Sequence, residues 1–593
     1  MLIVLFIVSQ YSPAQTFYNQ KIVADVTMQK NLAEEIADLQ MQLKTATGKS
    51  FSLASTFADE GIQLIKINFH NDKIYSSRLD STNADEFILQ SDGVHSFKII
   101  SYFETGISNG IYTLLDTLGF RFYAPGNEYT YVPTLNSIGM AVDVVYKPDM
   151  KLRTFFGTFG TPRNPVIDKD RDVDAAWKLW QKRNRLGGSV DLNGHMGNKF
   201  LSANMDVIKA HTEYTALVGG ERTGFKTAAK YCISNVDLQK LFIDYEVKEL
   251  KDAMQKNPDL PLYSISIEQA DGDGDCECDV CTKMGSVSDR DFFLANLIAK
   301  EFQKISPKAF VNLYAYHKHA RPPVFDLEPN VIVQLIPYRF QKYTSADSMI
   351  QDWKLKSKNL FIYDYYGYTL QSRDLPGGEL TNVDLFVQKL KFWNEENIIG
   401  ASLESSYSIG ATGLGLYLFS RLSWNMNADY KKLEDEYYNT IYGSAGSAVK
   451  FANESFTDDT MKMWVTIKKV FPEFQNQTTG ITLNKNQEYC LSSYKAYLHY
   501  IYLFTSQKTD KSKKPEEKCD ETMEFVYGTF FRMMVNPFTL SNYYAKKGNT
   551  KDYFANNWNQ KDAKTGDTKF SSVVQLSNEQ INFEFDADCK ELK

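Results

Sequence analysis

The chain has 593 residues, of which 43% are hydrophobic and 14% aromatic. That is apolar material for large cores in about two to four domains, and it excludes a disordered or fibrous protein. A net charge of -7 and a pI near 5.7, with no long basic run, exclude the basic face of a nucleic-acid binder.

The first residues, "MLIVLFIVSQYSPAQT", carry an apolar run from Leu2 to Val8 and a Ser12-x-Ala14 pattern that resembles a signal-peptidase site. Residues 1–15 are therefore expected to be a signal peptide of a periplasmic or secreted protein. The run is too short to cross a bilayer, and no later stretch approaches the needed length. Residues 20–145 read as a small α/β domain. "NLAEEIADLQMQLKTATG" has apolar residues at helical spacing and stops at Gly48; "GIQLIKINF" and "EFILQSDGVHSFKIIS" alternate as strands, and "ISNGIYTLLDTLGFRFYAPG" reads as a second helix.

Residues 150–426 repeat strand-then-helix units. Strand candidates are "KLRTFFGT", "GSVDLNGH", "KYCIS", "LYSISIEQ", "FVNLYAY", "VIVQLIP", "LFIYDYY" and "IGASLESS", with helices expected over 173–186, 236–255, 289–304, 346–356, 381–396 and 414–424. Eight strands with interleaved helices in about 275 residues predict a (β/α)₈ TIM-type barrel; the competing open doubly wound sheet lacks a Gly-rich phosphate fingerprint. From 427 to 593 strand patterns vanish, and tyrosine-rich segments predict a helical domain.

Strand alternation phases the side chains. In "LYSISIEQ", Tyr263, Ile265 and Ile267 face the helices, and Ser264, Ser266 and Glu268 face inward. In the eighth strand Ala401 and Leu403 point outward, and Gly400, Ser402 and Glu404 inward. In "GSVDLNGH" Val190 and Leu192 share one face, with Asp191, Asn193 and His195 on the other. Asp364 shares phase with Leu360 and Ile362, opposite Tyr363 and Tyr365, which leaves its direction ambiguous. Barrel sites form at the C-terminal strand ends, where His195, Glu268, Asp271, Tyr316, His317, Tyr338, Arg339, Asp364, Tyr365, Tyr366 and Glu404 collect.

Paired carboxylates among aromatic rings suit glycosidic cleavage, one group giving a proton and the other activating water or attacking the sugar. Across a closed eight-stranded barrel the carboxyls of strands four and eight would stand about 7–8 Å apart, in the range of inverting enzymes. "HKHAR", His317 to Arg321, with Arg339, would favour an acidic sugar such as a uronate through bidentate Arg contacts.

"DGDGD", Asp271 to Asp275, spaces carboxylates as a calcium loop does, but Cys276 and Thr282 stand where that loop needs Gly and Glu. Cys276, Cys278 and Cys281 form C-x-C-x-x-C. The pattern fits a local disulfide, with Cys232 as a further partner. Structural zinc, if His317, His319 or Cys232 supplies a fourth ligand, and free thiols are the less favoured alternatives. No cofactor is called for.

These segments carry a resemblance. "GISNGIYTLLDTLGFRFYAPGNEYTYVP" resembles the end of the small domain preceding the barrel in bacterial α-glucuronidases and β-hexosaminidases, and "KPDMKLRTF" resembles their barrel entry. "WQKRNRLGGSVDLNGHMGNKF", the D-x-D-G-x-C-x-C-x-x-C loop and "YLFSRLSWN" with "YYNTIYG" resemble an uncharacterised, domain-of-unknown-function family of exported Bacteroidetes proteins grouped with glycosidase barrels. The resemblance implies a carbohydrate-active barrel. The α-glucuronidase general acid, a glutamate ending strand four, matches Glu268; the Asp-Glu pair of β-hexosaminidases is not reproduced by "IEQAD"; and the uncharacterised family's usual aspartate matches Asp271. The expectation is thus an exported glycoside hydrolase with Glu268 as acid, Glu404 or Asp364 as base, and His195, Asp271 and the rim tyrosines holding the sugar. Its rivals are a non-catalytic glycan-binding protein on the same barrel and a surface scaffold whose helical domain binds a partner.

Overall fold

The computed structural model describes residues 17–57, 60–68, 72–157, 172–188, 190, 192, 194–224, 229–337, 340, 344–365, 374–376, 382–456, 460–509, 511–558 and 569–592. The expected leader, residues 1–15, and the rim candidates Tyr338, Arg339 and Tyr366 lie outside these. The chain divides into two compact units, residues 1–122 with 130–148, and residues 123–129 with 149–593.

In the first unit, strands β1 (Lys21–Val23), β2 (Ser52–Ala54), β3 (Gly61–Lys66), β4 (Phe87–Asp92), β5 (Ser96–Ser101) and β6 (Ala141–Tyr146) form one sheet in the order β2-β1-β3-β5-β4-β6. Strands β4 and β5 pair as an antiparallel hairpin, while β3 runs parallel to β5. Helix α1 (Ala33–Thr47) buries Ile36, Leu39, Leu43 and Ala46 and ends on Gly48 at φ 70°, a left-handed cap that costs glycine little. Helix α2 (Glu104–Thr117) lies so close to the sheet that a Cβ on Gly110 would sit 2.2 Å from Ile99 Cγ2.

The second unit is built on strands β7 (Leu152–Gly157), β8 (Gly187–Gly188), β9 (Tyr263–Ser266), β10 (Ala309–Ala315), β11 (Val331–Leu335), β12 (Leu360–Tyr365) and β13 (Gly400–Ser405), in the order β8-β7-β13-β12-β11-β10-β9. Helices α3 (Val173–Arg183), α4 (Val236–Lys256), α5 (Val287–Ile305), α6 (Ala346–Lys354), α7 (Val383–Glu395) and α8 (Gly413–Trp424) fall where the periodicity places them. Six strands are parallel, and the pairing of β13 with β7, Ser402 opposite Thr154, joins the eighth expected strand to the first. Val331, Val333 and Leu335, alternate residues of β11, are fully buried on its helix-facing side.

Among the described residues the sheet is a curled half-barrel and does not close into the expected cylinder. Of the expected second strand, Ser189, Asp191 and Asn193 lie outside the described residues; Gly187 and Gly188, both at positive φ, pair antiparallel with β7, where a Cβ on Gly188 would meet the Lys151 carbonyl at 2.3 Å. The expected third strand, "KYCIS", makes one isolated bridge, Tyr231 to Thr215. Residues 194–197 flank the free edge of β9 instead: Ser266 Oγ donates to the Gly194 carbonyl (2.8 Å), and the Met196 and Gly197 N–H groups donate to the Glu268 carbonyl (both 3.0 Å). Val190 and Leu192 pack on the inner cluster of Leu152, Ile332 and Phe361.

The described residues from 430 to 592 are mostly helical, including Tyr430–Tyr442, Thr460–Thr478, the 25-residue Lys485–Thr509 and Asn578–Glu591. Many of their tyrosines, among them Tyr437, Tyr494 and Tyr497, are buried. Among the described residues, no helix is long and apolar enough to cross a membrane.

Candidate functional site

The site is built on the inner face of the curled sheet, at the C-terminal ends of β9, β10, β12 and β13. Lower on that face a polar ladder crosses the strands, Asn312 Nδ2 donating to Ser264 Oγ (2.7 Å) and Gln334 Nε2 to Asn312 Oδ1 (3.0 Å), which fixes the inward phase of Ser264 and hence of Ser266 and Glu268. Above it the tyrosines Tyr314, Tyr316, Tyr363 and Tyr365 cluster with Ile336.

Glu268 sits just past β9 and is 4% exposed. Its Oε2 accepts from the Tyr314 N–H (2.9 Å), while His319 Nε2 stands 3.2 Å and His195 Nδ1 4.0 Å from Oε1. The His319 approach is out of line for a hydrogen bond, so the attraction is ionic. Burial alone would raise the Glu268 carboxyl, but the charge of His319, then of His195, and the Tyr314 bond hold it below its ordinary value. His319 is buried too; burial pulls it down, and Glu268 with Asp291 carries it above the ordinary imidazole value. Asp291, on α5, faces the other side of the ring, Oδ2 to Nδ1 3.7 Å, and accepts from Gln269 Nε2 (2.6 Å). Burial pushes Asp291 up to about 6.

Glu404 closes β13, half-buried, and accepts from the Tyr363 hydroxyl (2.5 Å). The two acids are linked by aromatic rings: Tyr314 to Tyr363 is 5.4 Å between centroids, Tyr363 to Tyr365 5.5 Å, and His195 to Tyr314 5.3 Å. The Tyr314 hydroxyl is pushed well up, chiefly by its burial. His195 Nδ1 lies 2.7 Å from the Gln269 carbonyl, which can only accept, so that nitrogen carries the proton.

Asp364 leaves the rim: it lies on the helix-facing side of β12 with Leu360 and Ile362, 3% exposed, and pairs with Lys389 of α7 at 2.6 Å. Asp271 is exposed and accepts from the Gly272 N–H (2.8 Å). His317 adjoins Tyr316, 6.0 Å between rings. Tyr338, Arg339 and Tyr366 lie outside the described residues. Asp291 and the role of His319 against Glu268 escaped the sequence reading, since no local spacing relates them. Cys232, Cys276, Cys278 and Cys281 gather beside this site, their sulfurs all within 4.8 Å of one another.

The two shifts set a stability window. The lowered Glu268 contributes stability above its unfolded value of about 4.5, lost as pH falls through its folded value. The raised His319 contributes stability below 6.5, lost as pH rises through its folded value. Thermal midpoints are expected to peak between these limits. In His319→Gln the midpoint falls throughout, and the wild-type decline above pH 6.5 shrinks; an unchanged alkaline slope would contradict the pairing.

Fold and site together define an α/β protein with a rim of two acids, histidines and tyrosines at the strand ends. The chain belongs to the family described as Domain of unknown function (DUF4838), which matches residues 124–453. No curated protein matches it. It is similar to the solved structure of a family GH115 4-O-methyl-α-glucuronidase with specificity for decorated arabinogalactans, at 11% identity and TM-score 0.48, covering 95% of this chain and 80% of that one. It is also similar to a GH89 enzyme from Clostridium perfringens solved with GlcNAc-α-1,4-galactose, at 11% identity and TM-score 0.42, covering 95% and 74%. A third is the structure titled CpGH84B, at 12% identity and TM-score 0.41, covering 86% and 93%.

Proposed function

We propose that the protein is a glycoside hydrolase whose two working acids are Glu268 and Glu404. The observation that carries this reading is that two carboxyl groups from strand ends far apart in sequence meet neighbouring residues of one aromatic-lined inner face: Glu268 accepts from the Tyr314 N–H (2.9 Å), Glu404 accepts from the Tyr363 hydroxyl (2.5 Å), and the two rings lie 5.4 Å apart. The roles we assign reverse the expectation for Glu268. An acid must arrive protonated, and a carboxyl held below its ordinary value beside His319 does not. Glu268 is the ionised partner, and Glu404 gives its proton to the glycosidic oxygen as the C1–O bond breaks. Asp364, committed to Lys389, takes no part. His195 and the rim tyrosines Tyr316 and Tyr365 hold the sugar.

The distance expected for a closed cylinder does not follow from the half-barrel of the described residues, and the product's configuration decides the stereochemistry. A retained anomer in the first product means Glu268 attacks C1; an inverted one means it takes a proton from water. A panel of uronate-bearing and neutral oligosaccharides, followed by released reducing ends and by NMR, tests the reading. Turnover of one class, lost in Glu404→Gln, is the expected result. Binding without product across the panel would instead identify a glycan-binding protein.

A further inference from the structure

We propose that Cys232, Cys276, Cys278 and Cys281 form a structural tetrathiolate zinc site. Three ligands come from the C-x-C-x-x-C loop and the fourth from residue 232. Tetrahedral zinc with Zn–S bonds of about 2.3 Å requires sulfurs about 3.8 Å apart. Cys232 Sγ lies 3.7 Å from Cys278 Sγ and 3.9 Å from Cys281 Sγ, and all four sulfurs fall within 4.8 Å of one another. A disulfide would bring one pair to about 2.05 Å, whereas all four cysteines here are free. Cys232, Cys276 and Cys281 are buried and Cys278 half-buried, so the cluster is shielded as a structural site should be.

The surroundings suit thiolates. The Leu217 N–H donates to Cys276 Sγ (3.3 Å) and the Cys281 N–H to Cys278 Sγ (3.4 Å), while Arg222 Nη1 reaches Cys276 Sγ at 3.8 Å and brings positive charge to an anionic centre. Ser234 Oγ lies 3.1 Å from Cys281 Sγ and can turn its hydrogen to a metal-bound sulfur. Three other cysteines, Cys490, Cys519 and Cys589, are buried in the helical region and belong to no such cluster among the described residues.

The site clamps what surrounds Glu268. The Cys276 carbonyl accepts from Arg290 Nη1 (2.6 Å), next to Asp291 on α5. On the same loop Asp275 pairs with Lys230 (2.9 Å) and Lys318 (3.2 Å), and Lys318 adjoins His319. The metal thus ties residue 232, the acidic loop and the His319 turn into one body. The inference stands independently of the hydrolase reading.

The test is elemental analysis of the purified full chain after dialysis, with thiols titrated by a mercurial in the presence of a zinc indicator. The expected result is about one zinc per chain, released as four thiols react, a Cys278→Ser variant that loses most of it, and a Cys519→Ala variant that keeps it. Replacement by cobalt should give the intense visible bands and sulfur-to-metal charge transfer of tetrahedral tetrathiolate. The proposal is overturned if the wild type binds no zinc even when it is supplied, if peptide mass spectrometry finds these cysteines in disulfides, or if Cys278→Ser keeps full zinc.

Discussion

Glu268→Gln is expected to lower kcat/KM on the turned-over glycan by about 10²–10⁴-fold, the usual contribution of one acid or base group. The amide keeps an acceptor for the Tyr314 N–H, so the local backbone is held, but it carries no charge and takes up no proton. The loss should fall on kcat with KM nearly unchanged, because a group working only in the transition state contributes little to ground-state binding. His319, freed of its strongest charge partner, should titrate lower, and NMR of its ring protons would show this independently of activity. A variant with wild-type kcat would remove Glu268 from the chemistry.

The largest expected loss of stability is at Trp353, fully buried on α6. Its ring packs 4.9 Å from Phe292 of α5, and its Nε1–H donates to the Ala320 carbonyl (2.8 Å), one residue beyond His319. Trp353→Ala should cost about 3–5 kcal/mol through lost burial and the cavity left behind. Trp353→Phe keeps most of the packing and strands only the Ala320 carbonyl, at about 1–3 kcal/mol. Because the turn carrying His319 hangs on that bond, Trp353→Phe should also let the Glu268 pKa rise toward its ordinary value. Denaturant midpoints measure the first effect and the acid limb of the rate profile the second. An alanine variant within about 1 kcal/mol of wild type would show that the turn is anchored elsewhere.

Period-two alternation made the inward direction of Glu268 and Glu404 legible, because the phase of a buried strand is fixed by which set faces the helices. The same rule left Asp364 open, since an apolar neighbour set and an acid shared one face; the deciding fact, Lys389 on α7, is a tertiary contact 25 residues away. The six helices beside the sheet were readable to within three residues at each end from their amphipathic spacing. The third expected strand misled for a physical reason, while of the second, "GSVDLNGH", Ser189, Asp191 and Asn193 lie outside the described residues and Val190 and Leu192 pack on the inner cluster. "KYCIS" alternates, but Cys232 is drawn to the cysteine loop, and the Cys232 N–H is spent on the Tyr214 carbonyl. The His319 and Asp291 pair could be found only by folding the chain, since residues 268, 291 and 319 lie on three separate segments.

The claim that Glu268 and Glu404 work as one unit is tested most directly by the kcat of the double variant Glu268→Gln with Glu404→Gln, measured beside each single variant. Residues acting on one transition state are strongly non-additive, so the double variant should be no slower than the worse single one within a few-fold. Losses that multiply, or a single variant that keeps full turnover, would contradict the account.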